Sequence, residues 1–124
     1  MQLSKNLNQS EVACRCGCGF NTIDDDLIIL FQQIRNLFGK PINVLSGCRC
    51  EKHNSSPEVK GSPTSSHLKG LALDIRPKNN TPYNLLKLAV CVGKCNVWNI
   101  GISAKDQFIH ICIDKTKDNI IFHY

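Results

Sequence analysis

The sequence predicts a single α+β domain with a largely antiparallel sheet. Two segments carry apolar residues at helical spacing, and five short segments read as strands. The order is helix, strand, long loop, strand, helix and then a run of strands, which mixes the two element types without a regular βαβ repeat. A length of 124 residues fits one domain, residues 1–124, around one hydrophobic core.

The N-terminal arm carries Ser10-Glu11-Val12-Ala13 and the cysteine-glycine turn Cys16-Gly17-Cys18-Gly19. A helix is predicted from about Asp24 to Phe38, because Leu27, Leu30, Phe31, Ile34, Leu37 and Phe38 recur at helical spacing. Asp24, Asp25 and Asp26 fall at its N-terminal end, where the helix dipole favours carboxylates. That explains the triplet more simply than a metal site does. Gly39 and Pro41 end the helix.

Pro41 to Leu45 reads as a strand, and Ser46 to Ser66 as a long loop rich in Gly, Ser, Pro and Asn. Loops of that length in small domains tend to carry function. Leu71 to Ile75 alternates again, with Leu71, Leu73 and Ile75 opposite Ala72 and Asp74. Thr81-Pro82 starts a second helix, Thr as N-cap and Pro in the first turn. It is expected to run to about Cys95 and to bury Leu85, Leu86, Leu88, Ala89 and Val92. Asn99 to Ser103 and Gln107 to Ile113 are two more strands, and Asn119 to Tyr124 is a last edge strand.

The bulk composition narrows the function classes. Hydrophobic content of 42% and charged content of 20% fit a soluble globular protein, and no apolar run reaches the length of a membrane span. No membrane insertion is expected. Residues 1–10 show no apolar signal-peptide core, which predicts a chain synthesised in the cytoplasm without a secretory leader. The net charge of +5 favours polyanionic partners, acidic wall polymers among them, or serves solubility alone. The lysines are scattered and aromatic residues make up only 6%, so nucleic acid is not expected as a partner. A monomer is the expected state.

Eight cysteines, at 14, 16, 18, 48, 50, 91, 95 and 112, are many for this length. Cys14, Cys16 and Cys18 are spaced more tightly than a zinc-ribbon pair. They remain open to a soft-metal site or disulfides with Cys48 and Cys50, or to being free thiols that pack as small hydrophobes.

The chemistry concentrates in Ser65-Ser66-His67-Leu68-Lys69-Gly70-Leu71-Ala72-Leu73-Asp74 and in Phe108-Ile109-His110-Ile111-Cys112-Ile113-Asp114. If Ile109, Ile111 and Ile113 pack the core, His110 stands on the open face of its strand. Asp74 stands likewise opposite an apolar triplet. Two imidazoles and a carboxylate hold zinc by three points and leave the fourth open, as catalytic zinc requires. A lone strand histidine is more often a hydrogen-bonded structural residue, and spacing alone does not bring His67 and His110 together. His53 reads as a solvated loop residue, and His123, near the chain end, has no assigned role.

Ser65-x-His67-x-x-Gly70-x-Ala72-x-Asp74-Ile75 resembles the signature of the zinc D-alanyl-D-alanine carboxypeptidases, the M15 peptidases, which share their fold with the Hedgehog signalling domain. Ser46-Gly47-Cys48-Arg49 resembles the Ser-Gly-aromatic-Arg element upstream, and Phe108-Ile109-His110 the segment supplying the last ligand. The resemblance runs from about Leu3 to Asp114. It implies a Hedgehog/DD-peptidase-like sheet with helices on one face and a zinc site on the other. It implies Zn2+ held by His67, Asp74 and His110, with Arg49 and Ser65 toward the substrate. The implied reaction is hydrolysis of D-Ala-containing bonds in peptidoglycan stem peptides, by a carboxypeptidase or endopeptidase of the kind found in phage lysins. An inactive zinc-bearing binding module for wall fragments or a protein partner is the alternative. The family pattern places a carboxylate near the last ligand. Here Gln107 cannot take a proton and Cys112 occupies the His-x-Asp position, which leaves Asp106 as general base and Asp114 as second choice. Cys48 replaces the aromatic beside Arg49, and Cys112 is a further candidate ligand or redox control.

Overall fold

The computed structural model describes residues 1–124. Gln2–Ser4 (β1) and Leu7–Asn8 (β2) form a small antiparallel hairpin, followed by one helical turn, Gln9–Val12 (α1). Asn8 caps that turn in a reciprocal capping box with Glu11. Pieces this short carry no periodicity, so the sequence pattern does not predict them.

The first long helix is Asp25–Phe38 (α2). The Asp24 carboxylate accepts from the Asp26 amide as N-cap, and Gly39 closes the C-terminus in the left-handed conformation. Leu27, Leu30, Phe31, Ile34 and Phe38 form the buried stripe. Leu37 does not join it and is exposed. It lies about 100° around the helix from Phe38, off the apolar face.

Ile42–Ser46 (β3) leads into the segment expected to be one long loop, which contains a helical turn, Glu51–Asn54 (α3), and a 3₁₀ turn, Ser66–Lys69. Ala72–Pro77 (β4) follows, then Pro82–Gly93 (α4), Asn99–Ser103 (β5), Phe108–Cys112 (β6) and Ile121–His123 (β7). In α4 the buried residues are Leu85, Leu88 and Val92. Leu86, expected in the core, is exposed, because a stripe at i, i+3 and i+7 turns its i+1 neighbour toward solvent.

The main sheet has the order β3-β4-β6-β5-β7. Its first three pairings are antiparallel, and β7 joins β5 in parallel as the edge strand. One face carries Leu73, Ile75, Ile100, Ile109 and Ile111 into the core, against α4 and, beyond it, α2. Ile113 is only partly buried at the margin of that core. Burying a side chain of this size stabilises by about 1.5–3 kcal/mol, so the isoleucine triplet and its partners fix which face β6 turns outward. The opposite face carries Asp74 paired across the ladder with His110, and Gly101 beside His110. No helix is long and apolar enough to cross a membrane.

Candidate metal centre

Strand register brings two site residues together. Asp74 on β4 and His110 on β6 are direct cross-strand partners, and His110 Nδ1 lies 2.8 Å from Asp74 Oδ1. His67 arrives from the 3₁₀ turn. Ser65 caps that turn, its hydroxyl accepting from the His67 amide at 3.3 Å. Gly70 ends the turn at φ +69° and lets the chain enter β4. A Cβ there would also lie 2.6 Å from the Thr22 carbonyl oxygen, so the position excludes a side chain twice over.

His67 Nε2 lies 3.3 Å from the same Asp74 Oδ1, and the two imidazole centroids are 5.2 Å apart. The donor atoms of His67, Asp74 and His110 all fall within 4.8 Å of one another. His67 and Asp74 are buried and His110 is partly so. The three residues that sequence spacing could not join are therefore joined by the fold.

Hydrogen bonding tests whether this set suits a cation. His67 Nδ1 sits 2.7 Å from the Gly47 carbonyl oxygen. A carbonyl only accepts, so Nδ1 carries a proton, which leaves Nε2, the nitrogen facing Asp74 Oδ1, as the one that would bind a metal. Nε2 and Oδ1 stand 3.3 Å apart, close to the ligand–ligand separation of about 3.3 Å around a tetrahedral zinc. The set fits a zinc ion, and the Gly47 carbonyl is the outer partner that zinc-binding histidines use.

The charges of the site polarise one another strongly. Burial works to raise the Asp74 pKa, but hydrogen bonds from His110 and His67 outweigh it and hold the carboxyl well below the usual carboxylate range. Burial pulls His110 down, yet its bond to Asp74 wins and lifts it to about 9. The second carboxylate oxygen, Asp74 Oδ2, accepts from Arg49 Nη2 at 3.2 Å. Arg49 also donates to Ser46 Oγ at 2.9 Å and to Asn54 Oδ1 at 3.1 Å. Arg49 lines the cleft, and part of its fork holds Asp74 itself.

The cleft measures about 560 Å³, within the range of ligand pockets of about 300–1,000 Å³. Arg49, Ser65, His67, Asp74, Asp106 and His110 all line it. Asp106 sits in the exposed β5–β6 turn, its amide donating to Ser103 Oγ. Lys60 and Lys117 add positive charge, and Phe108, Phe122 and Tyr124 form an apolar wall.

Sequence pattern alone does not point to Phe122 and Tyr124 as cleft residues. They reach the cleft through the parallel β5–β7 pairing, with Phe122 opposite Gly101. The only local signal was the apolar alternation of Ile121-Phe122-His123-Tyr124. His53 lies in α3, outside the cleft lining, and His123 is exposed. Asp114 is buried beneath the site, accepting from Ser66, Thr116 and Lys69, so it does not face the cleft as a second base. Cys112 is fully buried next to it, its sulfur accepting from the Asp114 amide, and stands outside the His67–Asp74–His110 group.

A search of curated proteins finds no match to the chain. The sequence model of peptidase M15 matches residues 5–112, a stretch that includes His67, Asp74 and His110, and the chain belongs to that family of zinc-dependent metallopeptidases.

Proposed function

We propose that the protein is a zinc peptidase that hydrolyses D-Ala-containing bonds in peptidoglycan stem peptides, acting as a monomer on the bacterial wall in the manner of a phage-type lysin. The reading rests on one observation above all. His67, Asp74 and His110 converge at the floor of a cleft whose remaining groups suit a short peptide with a free carboxylate.

Zinc with an open position lowers the pKa of water and polarises a carbonyl, which is the chemistry amide hydrolysis needs. His67 Nε2, His110 Nδ1 and Asp74 Oδ1 would hold it. The Gly47 carbonyl fixes the His67 tautomer, and Arg49 fixes the Asp74 carboxylate. Three of the Arg49 N–H donors have protein partners, and those left over can take a substrate carboxylate or carbonyl. Lys60 and Lys117 add to the attraction for an anionic chain end. Asp106 would take a proton from water and return it to the leaving amine. Ser65 orders the turn that presents His67, and the Phe108–Phe122–Tyr124 wall suits alanine methyl groups.

One observation favours a second reading, a zinc-bearing binding module without turnover. The position two residues beyond His110 is the buried Cys112, and Asp106 is exposed rather than held beside the imidazoles. Incubation of zinc-loaded protein with a D-Ala-D-Ala stem peptide and with intact sacculi separates the readings. Free D-Ala marks a carboxypeptidase, and cut cross-links mark an endopeptidase. Saturable binding without either product leaves the binding module.

A further inference from the structure

We propose that Cys14, Cys16, Cys18 and Cys50 form a second metal centre, a structural zinc held by four sulfurs, which staples the N-terminal arm to the loop carrying Arg49. The four Sγ atoms lie within 4.8 Å of one another. Cys14 Sγ is 3.4 Å from Cys16 Sγ and 3.9 Å from Cys50 Sγ, and Cys16 Sγ is 3.5 Å from Cys50 Sγ. A zinc–sulfur bond of about 2.3 Å places tetrahedral corners about 3.8 Å apart, and the observed separations bracket that value. All eight cysteines are free thiols.

The backbone is shaped for this convergence. In an extended strand, side chains at i and i+2 are about 6.7 Å apart. Here the Gly17 amide donates to the Cys14 carbonyl at 3.1 Å and closes a tight turn, with Gly17 at φ +80°. The Cys14 amide donates to the Phe20 carbonyl at 2.8 Å and closes the base of the loop. That curl explains how a spacing too tight for a zinc ribbon still gathers three sulfurs. Backbone amides already treat the sulfurs as acceptors: Cys50 N–H points to Cys14 Sγ at 3.5 Å, and His53 N–H to Cys50 Sγ at 3.4 Å. Cys48 is turned away and donates to the Thr22 carbonyl oxygen, so Cys50 is the fourth ligand.

The staple has a mechanical role. Cys50 follows Arg49 directly, and the Cys48 amide bonds to the Val12 carbonyl at 2.8 Å. Closing four sulfurs on one ion ties residues 14–18 to the segment that places the Gly47 carbonyl on His67 and Arg49 on Asp74. A Cys₄ set leaves no open position, as expected of a structural site.

The test uses the full-length chain with the other metal site removed. His67→Ala/His110→Ala protein, purified without chelator, is expected to retain one zinc per chain with four sulfur neighbours at about 2.3 Å by X-ray absorption. Cobalt substitution should give intense thiolate-to-metal charge transfer. Cys16→Ser and Cys18→Ser, both at exposed positions, should lose that signature in wild-type background. Cobalt titration of the wild-type chain should give the same bands even if a variant fails to fold. Metal-free double variant, four freely titrating thiols at these positions, disulfides among them, or iron in place of zinc would each overturn the proposal.

Discussion

His67 Nδ1 lies 2.7 Å from the Gly47 carbonyl oxygen, and Gly47 is itself pressed against the arm, where an added Cβ would meet Val12 O at 2.6 Å. The tautomer of a candidate zinc ligand therefore depends on how closely α1 packs against the loop after β3. This relationship links a backbone contact between the arm and the loop to the ring nitrogen that faces Asp74.

Gly47→Ala tests that link. The new methyl meets backbone, which cannot swing aside, so the expected cost is about 1–3 kcal/mol of stability. Displacement of the carbonyl should also weaken zinc at the His67 site by about 10–100-fold, measured by chelator competition. Unchanged affinity would remove Gly47 from the role of outer partner.

Arg49→Lys keeps the charge but loses the fork that reaches Ser46, Asn54 and Asp74 together. The expected outcome is a fall of at least about tenfold in kcat/KM on a stem peptide, with zinc content retained. Steady-state kinetics alongside metal analysis reads both.

Asp106→Asn removes the proposed proton acceptor while preserving size. A fall of about 10²–10⁴ in kcat is expected, with folding and zinc content unchanged. Wild-type turnover in this variant would assign the proton transfer elsewhere.

Much of this architecture was legible in the sequence because the periodic signals are strong. The Leu27–Phe38 stripe gave α2, and alternation in Leu71–Ile75 and Phe108–Ile113 placed Asp74 and His110 opposite the apolar face. Long-range register was not legible. Nothing local to Ile121–Tyr124 says that it pairs in parallel with β5 and lays two aromatic rings along the cleft. Arg49 was placed at the cleft by family resemblance, but its grip on Asp74 depends on the β3–β4 pairing and the turn at α3. The same limit applied to Cys48 and Cys50, which are indistinguishable by spacing and are separated only by which way an irregular loop turns them.

Asp114 supplies a pH-dependent prediction away from the metal ligands. Burial raises its pKa, but Thr116, Ser66 and Lys69 outweigh that and hold the carboxyl well below the usual range. A depressed folded-state pKa contributes stability above the unfolded value of about 3.9, and that contribution is lost as pH falls through the folded value. Solvent screens the pair with the half-exposed Lys69, so Asp114→Asn should cost about 1–2 kcal/mol at neutral pH. Denaturant titrations should show the gap between wild type and variant closing below about pH 4. A gap that persists unchanged at acid pH would show that the charge is not what stabilises.

The central claim is that His67, Asp74 and His110 hold a hydrolytic zinc. The most direct measurement is zinc content and product release from a D-Ala-D-Ala stem peptide, compared between wild type and His110→Ala. The variant is expected to stay folded, to lose one zinc per chain and to release no product. Equal turnover by the zinc-depleted variant would contradict it.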